Sequence, residues 1–197
     1  MRRLVTNLLA PLTYLRDRLA QGTRDERGIA AVEFAMLLPF MLTLYIGAVE
    51  ISSAVAADRK VTLAARTVAD LAAQATTLNN AEMTNIFTAA SAVVSPFPNA
   101  KVKVVLSQVK IDAEGKATIA WSRHYQSAAH AANATVTVPA ALKIPNTFLI
   151  WGEAEFEYVP IIGGAPTDMF WKMTGSRTLT EKIYMRPRLS ESVSCCS

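Results

Sequence analysis

Arg27-Gly28-Ile29-Ala30-Ala31-Val32-Glu33-Phe34-Ala35-Met36-Leu37-Leu38-Pro39-Phe40-Met41-Leu42-Thr43-Leu44-Tyr45-Ile46-Gly47-Ala48-Val49 is the stretch that decides how this chain is built. Gly28 closes a charged segment, and an apolar run follows with one carboxylate, Glu33, at its fifth position. From Phe34 to Val49 there are 16 residues without a charge, and from Ile29 the run is 21, interrupted only by Glu33. A helix of that length crosses a hydrocarbon core of about 30 Å. Residues 1–28 carry six Lys/Arg (Arg2, Arg3, Arg16, Arg18, Arg24, Arg27) against three acids (Asp17, Asp25, Glu26). A short, basic flank stays on the cytoplasmic side. The sequence therefore predicts one span with its N-terminus inside, and residues 58–197 across the membrane.

The order of these features differs from that of a simple export signal, whose small-residue cleavage site follows the apolar core. Here the basic segment is long, and a cut at Gly28 precedes the core, leaving the helix on the mature protein. Gly at −1 and Glu at +5, counted from Ile29, resembles a class III (prepilin-type) leader. The longer string Arg27-Gly28-Ile29-Ala30-Ala31-Val32-Glu33-Phe34-Ala35-Met36-Leu37-Leu38-Pro39 resembles the TadE/TadG-like pseudopilins of the tight-adherence (Tad, Flp-type) pilus system. The ending Arg186-Pro187-Arg188 followed by Cys195 is similar to members of that group. Chain length, one span and a compact distal domain suit its TadE-like branch.

The resemblance implies a prepilin peptidase that cuts between Gly28 and Ile29, and a Glu33 that serves recognition and assembly. It further implies other pilin or pseudopilin subunits and the pilus assembly platform as partners, and no enzymatic activity or cofactor. The domain boundaries expected are 1–28 for the cytoplasmic leader, 29–57 for the transmembrane helix and 58–197 for a periplasmic α+β domain. The fold class expected is α+β and pilin-like: one long N-terminal helix, membrane-spanning in its N-terminal half, packed on a small antiparallel sheet.

Physical chemistry gives Glu33 two readings. A carboxylate inside an apolar span costs roughly 2.5–3.5 kcal/mol at the helix centre, and less near the interface. One turn into the span, Glu33 is either a tolerated acid favoured by the helix dipole or a group awaiting a partner. The freed α-amine of a neighbouring subunit is a sensible partner, because an α-amine with a pKa of about 7.7–8.0 is mostly protonated at neutral pH. Pro39 removes one backbone donor in mid-span, as a tolerated kink or a packing bend between helices.

The chain has 197 residues, 51% of them hydrophobic, enough for one span and one modest domain. Its net charge of +4 does not point to nucleic acid. The leader holds most of that excess, and the part after Gly28 has 14 basic and 13 acidic residues. No Lys/Arg cluster interleaves with aromatics, so no nucleic-acid partner is expected.

Beyond the span the helix is expected to continue to about Ala75, for 47 residues from Ile29. Val61, Ala64, Ala65, Val68, Leu71, Ala72 and Ala75 form one apolar stripe, and Arg66 with Asp70 an i,i+4 pair. Asn79 and Glu82 have capping-box spacing, opening a second helix to about Val94 with Ile86, Phe87, Ala90 and Val93 or Val94 inward. Ser95-Pro96-Phe97-Pro98-Asn99 stops it. The period then changes to two. Val102 to Ile111, a turn at Asp112–Lys116 and Ala117 to Tyr125 read as a hairpin. Gln126 to Ala134 reads as loop or short helix, and Phe148 to Val159 as a third strand. Gly163–Pro166 reads as a loop, and Leu179 to Met185 as a fourth strand.

Catalysis finds little support. His124 and His130 have no Cys, Asp or Glu between them, so no metal site is expected. No G-x-S-x-G, H-E-x-x-H or phosphate-binding glycine loop occurs. Glu153, Glu155 and Glu157 form a row on one strand face, either solvated or a weak cation or partner-docking site. Trp121, Trp151, Phe156 and Tyr158 are expected in the core. Cys195 and Cys196 are adjacent and close only through an eight-membered ring, so no ordinary internal bridge is expected. They are incidental thiols on the tail or form an intermolecular disulfide. The alternative function is a secreted or single-span-anchored periplasmic binding protein that uses the apolar run only for export. Ala54-Val55-Ala56 would be its cleavage site. Glu50, the long leader and the placement of Gly28 argue against it.

Overall fold

The structure, a computed structural model, describes residues 26–160 and 176–196. Most of the leader and the loop expected at Gly163–Pro166 lie outside the described residues. Helix α1 covers Glu26–Ala73 and is followed by β1 (Thr77–Leu78) and α2 (Asn80–Val94). Then come β2 (Val102–Ile111), β3 (Ala117–Tyr125), β4 (Thr147–Tyr158), β5 (Arg177–Met185) and β6 (Ser194–Cys195). The protein is thus α+β, a long apolar N-terminal helix packed through its C-terminal part on a small antiparallel sheet. The contacts divide the chain into two compact units, one ending at Val49 and the other beginning at Glu50. The second unit takes in Glu50–Ala57, which the sequence reading gave to the span.

In the second unit, α1 buries Ala57, Val61, Ala64, Ala65, Val68, Ala69, Ala72 and Ala73. Six of these eight are alanines, so the helix can lie close to the sheet. The approach is tight at Gly152 of β4, where an added Cβ would stand 2.7 Å from the Ala65 carbonyl oxygen and 3.0 Å from Ala69 Cβ. Leu71 departs from the expected stripe and is 39% exposed. Its place on the helix surface lies at the rim of the buried face, in a groove shared with Leu78 and Ile86. Ala69 and Ala73 are buried in addition to the expected set.

The main sheet has the order β3-β2-β4-β5, antiparallel throughout. Strand alternation gives it two apolar faces. Val102, Val104, Leu106, Ile150, Ala154, Phe156 and Tyr158 join the core beneath α1 and α2. On the other face Val109, Ile111, Ala117, Ile119, Val138, Leu149 and Trp151 form a smaller core. A register shift at Gln108/Val109 gives β3 one extra residue, Ala120. This bulge allows Ile119 and Trp121, both odd-numbered, to serve opposite faces.

Helix α2 begins as the sequence indicates. Asn79 Oδ1 accepts from the Glu82 amide at 2.9 Å, and Glu82 Oε2 accepts from the Asn79 amide at 2.9 Å. Met83, Ile86, Phe87, Ala90, Ser91 and Val94 are its buried residues. The tail then returns across the end of α1. The Arg188 amide donates to Ala73 O at 2.8 Å, and β6 pairs parallel with β1 through Thr77↔Ser194 and Leu78↔Cys195. Asp70 is engaged by Arg188, and by Gln74 Nε2 at 2.7 Å, rather than by the expected Arg66. Arg188 reaches that carboxylate from the irregular segment between β5 and β6, which no local spacing rule describes.

Candidate functional site: the N-terminal segment of the anchor helix

Gly28, Ile29 and Glu33 all lie in the first turns of α1 and all are exposed. Among the described residues nothing requires a glycine at 28 on steric grounds: a Cβ added there meets nothing within 4 Å. Glycine inside a helix is about 1 kcal/mol less favourable than alanine. From Ile29 to Val49 the helix presents large apolar side chains on every side. Met36 is 75% exposed, Phe40 65% and Tyr45 68%. A helix that is apolar all round needs an apolar surrounding. The helix, near the N-terminus, is long and apolar enough to cross a membrane, with a mean hydropathy of 2.0.

Glu33 is the sole acid in that run, and no partner for its carboxylate occurs among the described residues. Pro39 does not interrupt α1. The Thr43 hydroxyl donates to Pro39 O at 2.8 Å, one turn on.

Glu50 meets a different environment. It is 7% exposed, and Tyr158 Oη donates to its Oε2 at 3.0 Å. Burial first, and then the Glu50 hydrogen bond and charge, push the Tyr158 phenol up to about 12. Sequence reasoning did not anticipate this pair. Its one signal was a lone acid immediately after an apolar run.

The outer face of the sheet carries the acid row in paired form. Lys103 Nζ lies 2.7 Å from Glu155 Oε1, and this bond and charge raise the Lys103 ammonium above its ordinary value. Glu153 is held between His130 and Lys182, the latter at 3.2 Å. His130 comes from the 126–134 segment, a loop here, and stacks on Trp151, which stacks in turn on Tyr184 at 4.7 and 5.6 Å between centroids. Burial and the nearby Glu153 charge raise the Tyr184 phenol. Glu153 is therefore mostly covered, not part of a freely solvated row. No group of three metal-ligating side chains occurs among the described residues.

Two further expectations are corrected. No ordinary internal bridge was expected, with incidental thiols or an intermolecular disulfide as the open readings, whereas Cys195 and Cys196 are bonded to each other. The bridge closes with Cys196 at φ 55°, where β6 is held against β1. Trp121 is half-buried rather than in the core. Its indole N–H is shared between Gln108 Oε1 at 2.6 Å and Val193 O at 2.7 Å.

Fold and segment together define an α+β domain carried on one N-terminal apolar helix of membrane-crossing length. Within that class, the family model described as TadE-like protein matches residues 28–70, from the exposed glycine through most of the part of α1 that packs on the sheet. Over this region the chain is similar to TadE-like proteins. No curated protein and no solved structure matches it.

Proposed function

We propose that the protein is a non-enzymatic pseudopilin, a minor pilin-like subunit for assembly of a Tad (Flp-type) pilus involved in surface adherence. The observation that carries this reading is Gly28, a helical glycine that nothing in its own fold requires, five residues before an exposed and unpartnered Glu33 within the TadE-like match. A prepilin peptidase recognises that glycine and cuts the Gly28–Ile29 bond. The new α-amine at Ile29 then lies one helical turn from Glu33, with the apolar run still attached. The anchor crosses the inner membrane once, N-terminus cytoplasmic, and the distal domain is periplasmic or carried into the pilus. Other pilin-like subunits and the assembly platform are its partners. Export alone is a poorer account, because a cut after Ala56 would sever α1 inside the part that packs on the sheet, where Ala57 is fully buried.

Intact-mass measurement of the protein from cells holding the cognate peptidase tests the reading. The expected mature chain begins at Ile29. Retention of Met1, or a start near Ala57, overturns it.

A further inference from the structure

The Cys195–Cys196 bridge joins neighbours in the chain. A disulfide stabilises mainly by restricting the unfolded chain, and the effect grows with the length of chain enclosed. A bridge between adjacent residues encloses almost none, so it does not staple distant parts of the fold together. What it constrains is the peptide between the two residues and the backbone of Cys196.

That backbone is where the tail is fastened. Cys196 stands at φ 55°, in the left-handed region that residues with a side chain rarely adopt. In this conformation its amide donates to Leu78 O at 2.9 Å, and the Ser194 amide donates to Thr76 O at 3.1 Å. The two bonds flank the register of β1 with β6, Thr77↔Ser194 and Leu78↔Cys195. A two-residue pairing has little strength of its own. Upstream the tail is held independently: Val193 is fully buried, its carbonyl accepts the Trp121 indole N–H, and the Arg188 amide donates to Ala73 O. Both cysteines pack on the main core yet are only half-buried, so a small thiolate can reach the sulfurs.

We propose that Cys195–Cys196 is a site of thiol–disulfide exchange and acts as a reducible clasp, which a dithiol opens to release the chain from Ser194 onward from β1. One thiolate of the dithiol attacks a bridge sulfur, the Cys195–Cys196 bond breaks and a mixed disulfide forms. The second thiolate resolves it, so two electrons and two protons pass to the protein and the dithiol leaves oxidised. With the ring open, Cys196 is an ordinary residue for which a negative φ is favoured. Turning to that φ carries its amide away from Leu78 O. The release is local, because Arg188 and Val193 keep their own bonds to Ala73 and Trp121.

The test uses the full chain in detergent, prepared without reductant and then treated or not with dithiothreitol. Iodoacetamide should add to neither cysteine before treatment and to both after it, as read by intact mass. A protein without the bridge, or a bridge that resists dithiothreitol in the folded chain, overturns the proposal. Hydrogen exchange at the Ser194 and Cys196 amides should become about ten-fold faster on reduction, with β2 and β4 unchanged. Unchanged exchange in the tail overturns the clasp, and acceleration throughout the sheet overturns its local character. The double variant Cys195→Ser/Cys196→Ser should exchange like the reduced protein. Cys195→Ser/Cys196→Gly should lie nearer the bridged form, because glycine takes a positive φ without a ring. Neither variant should respond to dithiothreitol. Equal exchange in the two variants overturns the role given to the Cys196 backbone.

Discussion

Tyr158 and Glu50 are 108 residues apart in the chain, and the phenol of one donates to the carboxylate of the other at 3.0 Å in a buried setting. The chain thus holds two acids on its apolar helix segment or directly after it, with opposite arrangements. Glu50 is answered by its own domain, whereas Glu33, 17 residues earlier, has no partner among the described residues. That contrast is the reason Glu33, and not Glu50, carries the proposed assembly role.

The Tyr158 shift gives a signed pH dependence. Its folded pKa is raised from 10.0 to about 12, so the unfolded chain releases this proton first. The associated stability is fully present below pH 10 and is lost as pH rises from about 10 to 12. Tyr158→Phe should cost about 1–3 kcal/mol at neutral pH, because Glu50 loses a buried donor. It should also flatten the alkaline fall. Thermal unfolding of both detergent-solubilised proteins at pH 8, 10 and 11.5 reads the difference, and parallel curves count against the assignment.

At Gly152 helix and sheet leave no room for a side chain. Gly152→Ala places a Cβ 2.7 Å from the backbone oxygen of Ala65, an atom that cannot swing aside. Overpacking of this kind costs about 1–3 kcal/mol. The variant should unfold several degrees lower than the parent, whereas Gly115→Ala probes only the positive φ of a turn open to solvent. An unchanged melting temperature for Gly152→Ala would show that α1 can lift from β4 at no cost.

Elements with local signatures were legible in the sequence. The capping box at Asn79 and Glu82, the 102–125 hairpin and the continuation of the long helix each follow from spacing within a few residues. The third and fourth strands were also visible, offset by one or two residues: Thr147–Tyr158 for the expected Phe148–Val159, and Arg177 for Leu179 as the start of the fourth. What escaped was non-local. Asp70 has Arg66 one turn away and is taken instead by Arg188, 118 residues on, because the tail crosses there to form β6. The Glu50–Tyr158 bond and the seating of His130 on Trp151 belong to the same kind, since only the folded sheet brings them together. At the candidate site, Gly28 and Glu33 were singled out by the resemblance to a prepilin-type leader. Their exposure, and the absence of any fold requirement for the glycine, were not.

Gly28→Leu separates recognition from folding. The leucine meets open space in the chain itself, so stability and membrane level should match the parent. A peptidase site selective for glycine should not admit the larger side chain, and cleavage should be abolished in cells holding the enzyme. Immunoblotting of precursor and mature forms provides the readout. Normal processing of Gly28→Leu would remove the prepilin-type leader from consideration.

Glu33 offers the sharpest test of assembly. Glu33→Val should still insert, because removing a charge from a span makes insertion easier. It should nevertheless fail to support pili if its carboxylate pairs with the α-amine of a neighbouring subunit. Deleting one member of a buried pair leaves the other charged in low dielectric, at a cost of about 3–5 kcal/mol. Glu33→Gln keeps a polar partner without the charge and should fall between parent and valine. Surface pilus yield is measured beside membrane level and cleavage for each variant, so that lost assembly is not confused with lost protein. Normal pili from a stable, correctly cleaved Glu33→Val chain would make Glu33 a tolerated acid at the end of an ordinary anchor, and the search for the assembly contact would move elsewhere on the helix.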